Sequence, residues 1–173
     1  MTRFAKIFAA PFAVFLSVAG SANAYSFKSY EGRFSIEFPS QPQAQHIRDI
    51  GTCLHDRYEF RVSEGGKTWY ASYQDCLPHG YLEDNGYGPF MLKAGEDLAK
   101  AVRGELRASD PIEHGALSGR QYLILVPYGE KRVARVQIFI DGDRVYKLMY
   151  IGPAFTEDDS GVEAFFASFH VMR

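Results

Sequence analysis

The feature that most restricts this chain is a succession of short runs in which apolar and polar residues alternate, each run stopped by glycine or proline. Successive side chains of a strand point to opposite faces, so a period of two predicts strands with one face turned to a core. Phe34, Ile36 and Phe38 alternate with Ser35 and Glu37, and Pro39 and Pro42 stop the run. The polar stretch from Gln43 to Asp49 reads as an edge strand, where unpaired backbone groups meet water. Leu54, Tyr58, Phe60 and Val62 mark one face of a strand, and Trp69, Ala71 and Tyr73 one face of the next. Ser63-Glu64-Gly65-Gly66 lies between them as a hairpin turn, its glycines free to take positive φ. A turn centred between Glu64 and Gly65 sets Phe60 opposite Trp69, Tyr58 opposite Ala71 and Cys53 opposite Cys76.

Four more strands are expected over Glu105–Ile112, Gln121–Val126, Arg132–Ile140 and Arg144–Ile151. Asp141-Gly142 between the last two is a strong hairpin signal. A three-residue bulged loop there aligns Val136 with Leu148 and Ile138 with Tyr146. The stretch Leu77 to Gly88 loses periodicity, gathers Pro78, Gly80, Gly86 and Gly88, and reads as a loop. A helix follows, with Pro89 at its first position, a stripe of Met91, Ala94, Leu98, Ala101 and Val102, and Gly104 at its end. Gly95 weakens it by roughly 1 kcal/mol relative to alanine. A second helix begins at the acidic Thr156–Ser160 segment and carries Val162, Phe165, Phe166 and Phe169. Six or seven strands and two helices make an α+β chain, an antiparallel sheet covered by helices.

The first 24 residues have another character. Arg3 and Lys6 form a basic head, Ile7–Ala19 an apolar run, and Ala22 and Ala24 fit an A-x-A cleavage site. This predicts a secretory signal peptide over residues 1–24 and a single domain over 25–173. A membrane anchor needs about 20 apolar residues, and this run is shorter and interrupted by Pro11. The mature chain is expected to have no transmembrane segment and to be periplasmic or secreted. With 19 basic against 21 acidic side chains, the whole chain is no polybasic nucleic-acid binder.

Cys53 and Cys76 are the two cysteines. In an oxidising compartment, facing each other across a hairpin, they are expected to form a disulfide, which stabilises by roughly 3 kcal/mol for a loop of this length. The alternative is a Cys2His2 metal site of Cys53, His55, Cys76 and His79, whose spacing departs from the usual C-x2-C pattern. Hydrolysis would need a nucleophile and base from Ser72, Ser109, Ser118, Ser160 or Ser168 and His46, His114 or His170, but no G-x-S-x-G or H-E-x-x-H motif is present. Asp75, at the end of the Trp69-Ala71-Tyr73 row, reads as a side-chain cap of the following turn. Tyr81, Glu83, Asp84 and Tyr87 combine rigid amphipathic rings with acids on the Leu77–Gly88 loop, the composition of a recognition surface.

Several stretches together are similar to the PsbP-like family: Tyr30-Glu31-Gly32-Arg33-Phe34-Ser35-Ile36-Glu37-Phe38-Pro39, Tyr70-Ala71-Ser72-Tyr73-Gln74-Asp75, Asp143-Arg144-Val145-Tyr146-Lys147-Leu148 and Phe165-Phe166-Ala167-Ser168-Phe169. The resemblance spans nearly the whole mature chain and lies in the order and spacing of the set. It implies an α/β/α sandwich around an antiparallel sheet and little about chemistry: the better-known members of the group are binding or assembly factors with no shared catalytic motif that maps here, and no cofactor is expected. The function expected is therefore non-catalytic binding of an unknown protein or small molecule outside the cytoplasm, with a metal-binding or hydrolytic enzyme as the alternative.

Overall fold

The computed structural model describes residues 24–48, 56–75, 77, 82, 86–127, 131–154 and 159–173. Ten strands and two helices lie within them: β1 (Tyr25–Ser29), β2 (Phe34–Phe38), β3 (Gln43–Ile47), β4 (Arg57–Glu64), β5 (Lys67–Asp75), α1 (Tyr87–Ala101), β6 (Glu105–His114), β7 (Leu117–Val126), β8 (Arg132–Asp141), β9 (Arg144–Pro153), α2 (Ser160–Ala167) and β10 (His170–Val171). Seven strands form one antiparallel sheet in the order β3-β4-β5-β9-β8-β7-β6, and β1, β2 and β10 form a small second sheet around β2. The short flanking strands β1 and β10 are not among the expected strands: β1 alternates only over Tyr25-Ser26-Phe27-Lys28, and β10 is two residues long.

Two hairpin registers differ from those the sequence suggests. The β4–β5 turn is the two-residue Gly65-Gly66, both at positive φ, so Phe60 faces Ala71, Tyr58 faces Tyr73 and Val62 faces Trp69. A shift of two keeps every side chain on its expected face, which is why alternation alone could not detect it. The register that set Cys53 against Cys76 is thus not the observed one; both cysteines lie outside the described residues. The β8–β9 turn is the two-residue Gly142-Asp143, Gly142 at φ 61°, which pairs Val136 with Met149 and Ile138 with Lys147. β8 is buried on both faces, and the partly buried face of β9 carries Val145, Met149 and Ile151, so apolar content did not reveal which residues share a face.

One face of the large sheet is aromatic. Phe60, Val62, Trp69, Ala71, Tyr73, Phe139, Tyr146, Leu148 and Tyr150 pack against Phe34, Ile36 and Phe38 of β2 and Val162, Phe165, Phe166 and Phe169 in and after α2. Phe34 is fully buried, and its ring meets those of Phe27, Phe60, Tyr73, Tyr146 and Phe169. Asp159 caps α2 by accepting from the Gly161 N–H at 2.9 Å.

The other face carries α1 over the β6–β9 half, where Met91 and Ala99 meet Tyr122, Ile124, Val126, Ala134, Val136 and Ile138. The buried spine of the helix is Met91, Gly95 and Ala99, and Ala101 is exposed. A Cβ on Gly95 would stand 2.4 Å from the Tyr122 ring, whose hydroxyl donates to the Met91 carbonyl at 2.6 Å. The glycine lost to helix propensity is therefore what lets helix and sheet approach. Arg103 takes the left-handed position after the helix (φ 49°), and the Gly104 N–H returns to the Ala99 carbonyl at 2.8 Å.

Candidate functional site

The antiparallel register builds rows of side chains across the sheet. Strands spaced by about 4.8 Å hold flat groups on neighbouring strands at stacking distance. His46, Tyr58 and Tyr73 are successive cross-strand partners on β3, β4 and β5. Their rings stack at 4.8 Å and 12° between His46 and Tyr58, and at 4.9 Å and 7° between Tyr58 and Tyr73. The Arg144 guanidinium lies 4.9 Å from the Tyr73 ring centre, adding a cation to the ladder's inner end.

The inner rungs are fixed by surrounding bonds. Arg144 donates to both carboxylate oxygens of Asp75, its cross-strand partner, at 2.5 and 2.7 Å, and to the Glu31 carbonyl at 2.8 Å. The Asp75 bond holds the guanidinium above its already high proton affinity. Tyr146 donates to the Gly32 carbonyl at 2.9 Å. The β1–β2 turn thus docks on the ladder, and Gly32 is required there because a Cβ would stand 2.6 Å from the Tyr73 ring. Burial foremost, then the Glu31 carboxylate, raise the phenols of both Tyr73 and Tyr58 above the ordinary tyrosine value. At the outer end His46 is exposed and lies 2.6 Å from an Asp56 oxygen, and Tyr30 on the turn is 82% exposed. Exposure therefore rises outward along the stack, from buried Tyr73 through half-buried Tyr58 to exposed His46.

A second polar group lies on the opposite face of β4, β5 and β9, where no residue of β4 or β5 joins the cluster beneath α1. Glu59, Ser72 and Lys147 share a cross-strand row. Tyr70 donates to Glu59 at 2.7 Å, Arg57 lies 2.8 Å from the same oxygen, and the Lys147 ammonium lies 5.1 Å from the Tyr70 ring centre. Desolvation lowers Lys147 to about 8, Arg57 adding to the fall and Glu59 opposing it.

Of the residues singled out from the sequence, Cys53, His55, Cys76, His79, Tyr81, Glu83 and Asp84 lie outside the described residues. Tyr87 belongs to the first turn of α1, half-buried against the aliphatic cluster, so the helix starts earlier than expected and Pro89 is its third residue. Proline is tolerated in that first turn because its missing N–H would have no helical partner. The Asp75 carboxylate holds Arg144, and the Leu77 N–H donates to the Asp143 carbonyl at 3.2 Å; the rest of the turn that Asp75 was expected to cap lies outside the described residues. Ser168 accepts from the Glu37 N–H and donates to the Phe165 carbonyl, a clamp between β2 and α2. His114 bonds the Phe169 carbonyl. Among the described residues no group of three or more His, Cys, Asp or Glu could hold a metal ion. No helix there is long and apolar enough to cross a membrane. The ladder itself was missed, and its signal was the in-phase Tyr58 and Tyr73, legible only with the turn correctly placed.

No protein-family model matches the sequence, and no curated protein does. Solved structures do. The solution structure of cyanobacterial PsbP (CyanoP) from Synechocystis sp. PCC 6803 is 14% identical and superposes with a TM-score of 0.65, covering 89% of this chain and 95% of that one. A crystal structure from Bacteroides thetaiotaomicron VPI-5482 is 11% identical at TM-score 0.49, over 86% of this chain and 48% of that one. PA94, a protein of unknown function from Pseudomonas aeruginosa, is 11% identical at 0.36, over 78% and 85%. Likeness at the last two levels bears no weight. The first shows that the chain has the PsbP-like α+β fold.

Proposed function

We propose that this chain is an exported, non-catalytic binding or assembly protein of the periplasm or an equivalent oxidising space, and that it meets its partner at the open end of the sheet. The reading rests on the stacked ladder: rigid flat groups already held in place cost little entropy to bind with, its outer end offers His46 beside the Asp56 carboxylate, and Tyr30 stands exposed on the turn docked at its inner end. The carboxylates of Asp75, beside the ladder, and Glu59, on the opposite face of β4, are engaged in structure, Asp75 holding Arg144 and Glu59 accepting from Tyr70, which suits a recognition surface better than proton transfer. The leader-like residues 1–24 support export, and export supports a disulfide between Cys53 and Cys76.

Photo-crosslinking side chains placed singly at positions 30, 46 and 92 in cells test this. Leu92 is 51% exposed on α1 and serves as the control. Discrete adducts from positions 30 and 46 and none from 92 are expected; adducts from 92 alone, or from no position, contradict the reading.

A further inference from the structure

The seven-stranded sheet has two edges, and only one is guarded. At β6 a bulge between Leu106 and Ala108 breaks the register, Pro111 removes a donor, and Glu105, Arg107, Asp110 and Glu113 add charge. Bulges, proline and charges are the devices that keep edge strands from pairing with other chains. The opposite edge, β3, has none of them. Its sequence Gln43-Ala44-Gln45-His46-Ile47 contains no proline, lysine, aspartate or glutamate; its register with β4 is unbroken, and its first four residues are exposed. Among the described residues, no backbone hydrogen bond runs from β3 to any element besides β4.

We propose that β3 pairs with β3 of a second copy of this chain, antiparallel and two-fold symmetric about Gln45, joining two sheets into one. This is the antiparallel alignment that uses all five residues. It sets Gln45 against the partner's Gln45, where each amide both donates and accepts, and Gln43 against the partner's Ile47. Ala44 meets the partner's His46, so the imidazole faces a methyl group and its stack on Tyr58 stays intact. The two His46 rings are not placed face to face, and no like charges oppose one another. An uncharged strand has no charge pattern with which to select a foreign segment, whereas it is complementary to itself. Five residues bury little area, so the association is weak and concentration-dependent.

Sedimentation equilibrium from about 10 μM to about 1 mM reads the proposal directly. The wild-type mass should rise toward twice the monomer. Gln45→Lys and Gln45→Glu, each setting like charges together at the two-fold axis, should separately weaken association by about tenfold or more, while their equimolar mixture regains it. Circular dichroism of both variants should match the wild type, since Gln45 is exposed. A wild type that stays monomeric throughout, a Gln45→Lys protein that associates as well as wild type, or a mixture no better than either variant would overturn it.

Discussion

The two faces of the large sheet are built from different chemistry. One is packed with rings, from Phe34 and Phe60 through Tyr73 and Tyr146 to Phe165 and Phe169, under a second sheet and α2. The other carries aliphatic contacts beneath α1 on its β6–β9 half and the polar Glu59, Tyr70, Ser72 and Lys147 on β4, β5 and β9. The difference teaches where this molecule invests its stability and where it keeps polar chemistry. The aromatic face is thick, doubly covered and continuous with the stacked ladder, so the proposed recognition surface is an exposed extension of the core. The other face holds a lysine whose charge is held partly out of water.

If the aromatic face dominates stability, cutting it should cost most. Phe34→Ala should destabilise by about 3–5 kcal/mol in urea unfolding, because Phe34 meets five other rings and leaves a cavity that β2 cannot close. Arg144→Met should cost about 2–3 kcal/mol, less than a fully buried pair because the Asp75 side chain is half exposed. Near-ultraviolet dichroism should also change as Tyr73 loses its cation and the β1–β2 turn loosens. On the α1 face, Gly95→Ala should destabilise by about 1–3 kcal/mol, against the gain helix propensity alone predicts, since the added methyl meets the Tyr122 ring. A stabilised Gly95→Ala protein would show that α1 sits farther from the sheet.

Lys147 sharpens the contrast through pH. Its folded value is lowered to about 8 from 10.5, so between those values the unfolded chain binds a proton that the folded chain does not. Stability should therefore rise from pH 8 toward pH 10, and the lysine's penalty is fully present below pH 8. Lys147→Met should abolish that rise and stabilise at pH 7 by about 1–2 kcal/mol, read as a higher Tm. Above pH 10 the buried phenols of Tyr70 and Tyr122, raised by burial, reverse the trend, because the unfolded chain then loses protons that the fold retains. The smallest effect is expected at Asp159→Ala, about 1 kcal/mol from the lost α2 cap. The Gly161 bond, then Lys67, depress the Asp159 carboxyl, so the cap's contribution is present above the ordinary aspartate range and fades as pH falls through the depressed value.

These contrasts also mark what could be read from residues alone. Alternation in β2 and β4 and the Trp69-Ala71-Tyr73 row of β5 showed which side chains face the aromatic core, and Val162, Phe165, Phe166 and Phe169 showed the docking side of α2. The pairing of strands was less legible. Gly65-Gly66 can centre a turn at more than one point without moving any side chain to the wrong face, and that shift of two hid the Tyr58–Tyr73 partnership. β8 is buried on both faces and β9 is apolar on both, so parity itself was lost. The Asp75–Arg144 pair joins residues far apart in sequence, and neither neighbourhood alone announces the other.

The ladder is where fold and proposed function meet, and it is open to one direct measurement. Through-space proton contacts between the His46 and Tyr58 rings and between the Tyr58 and Tyr73 rings, read by nuclear magnetic resonance on the folded protein, should both be strong. A folded sheet with neither contact would contradict the account.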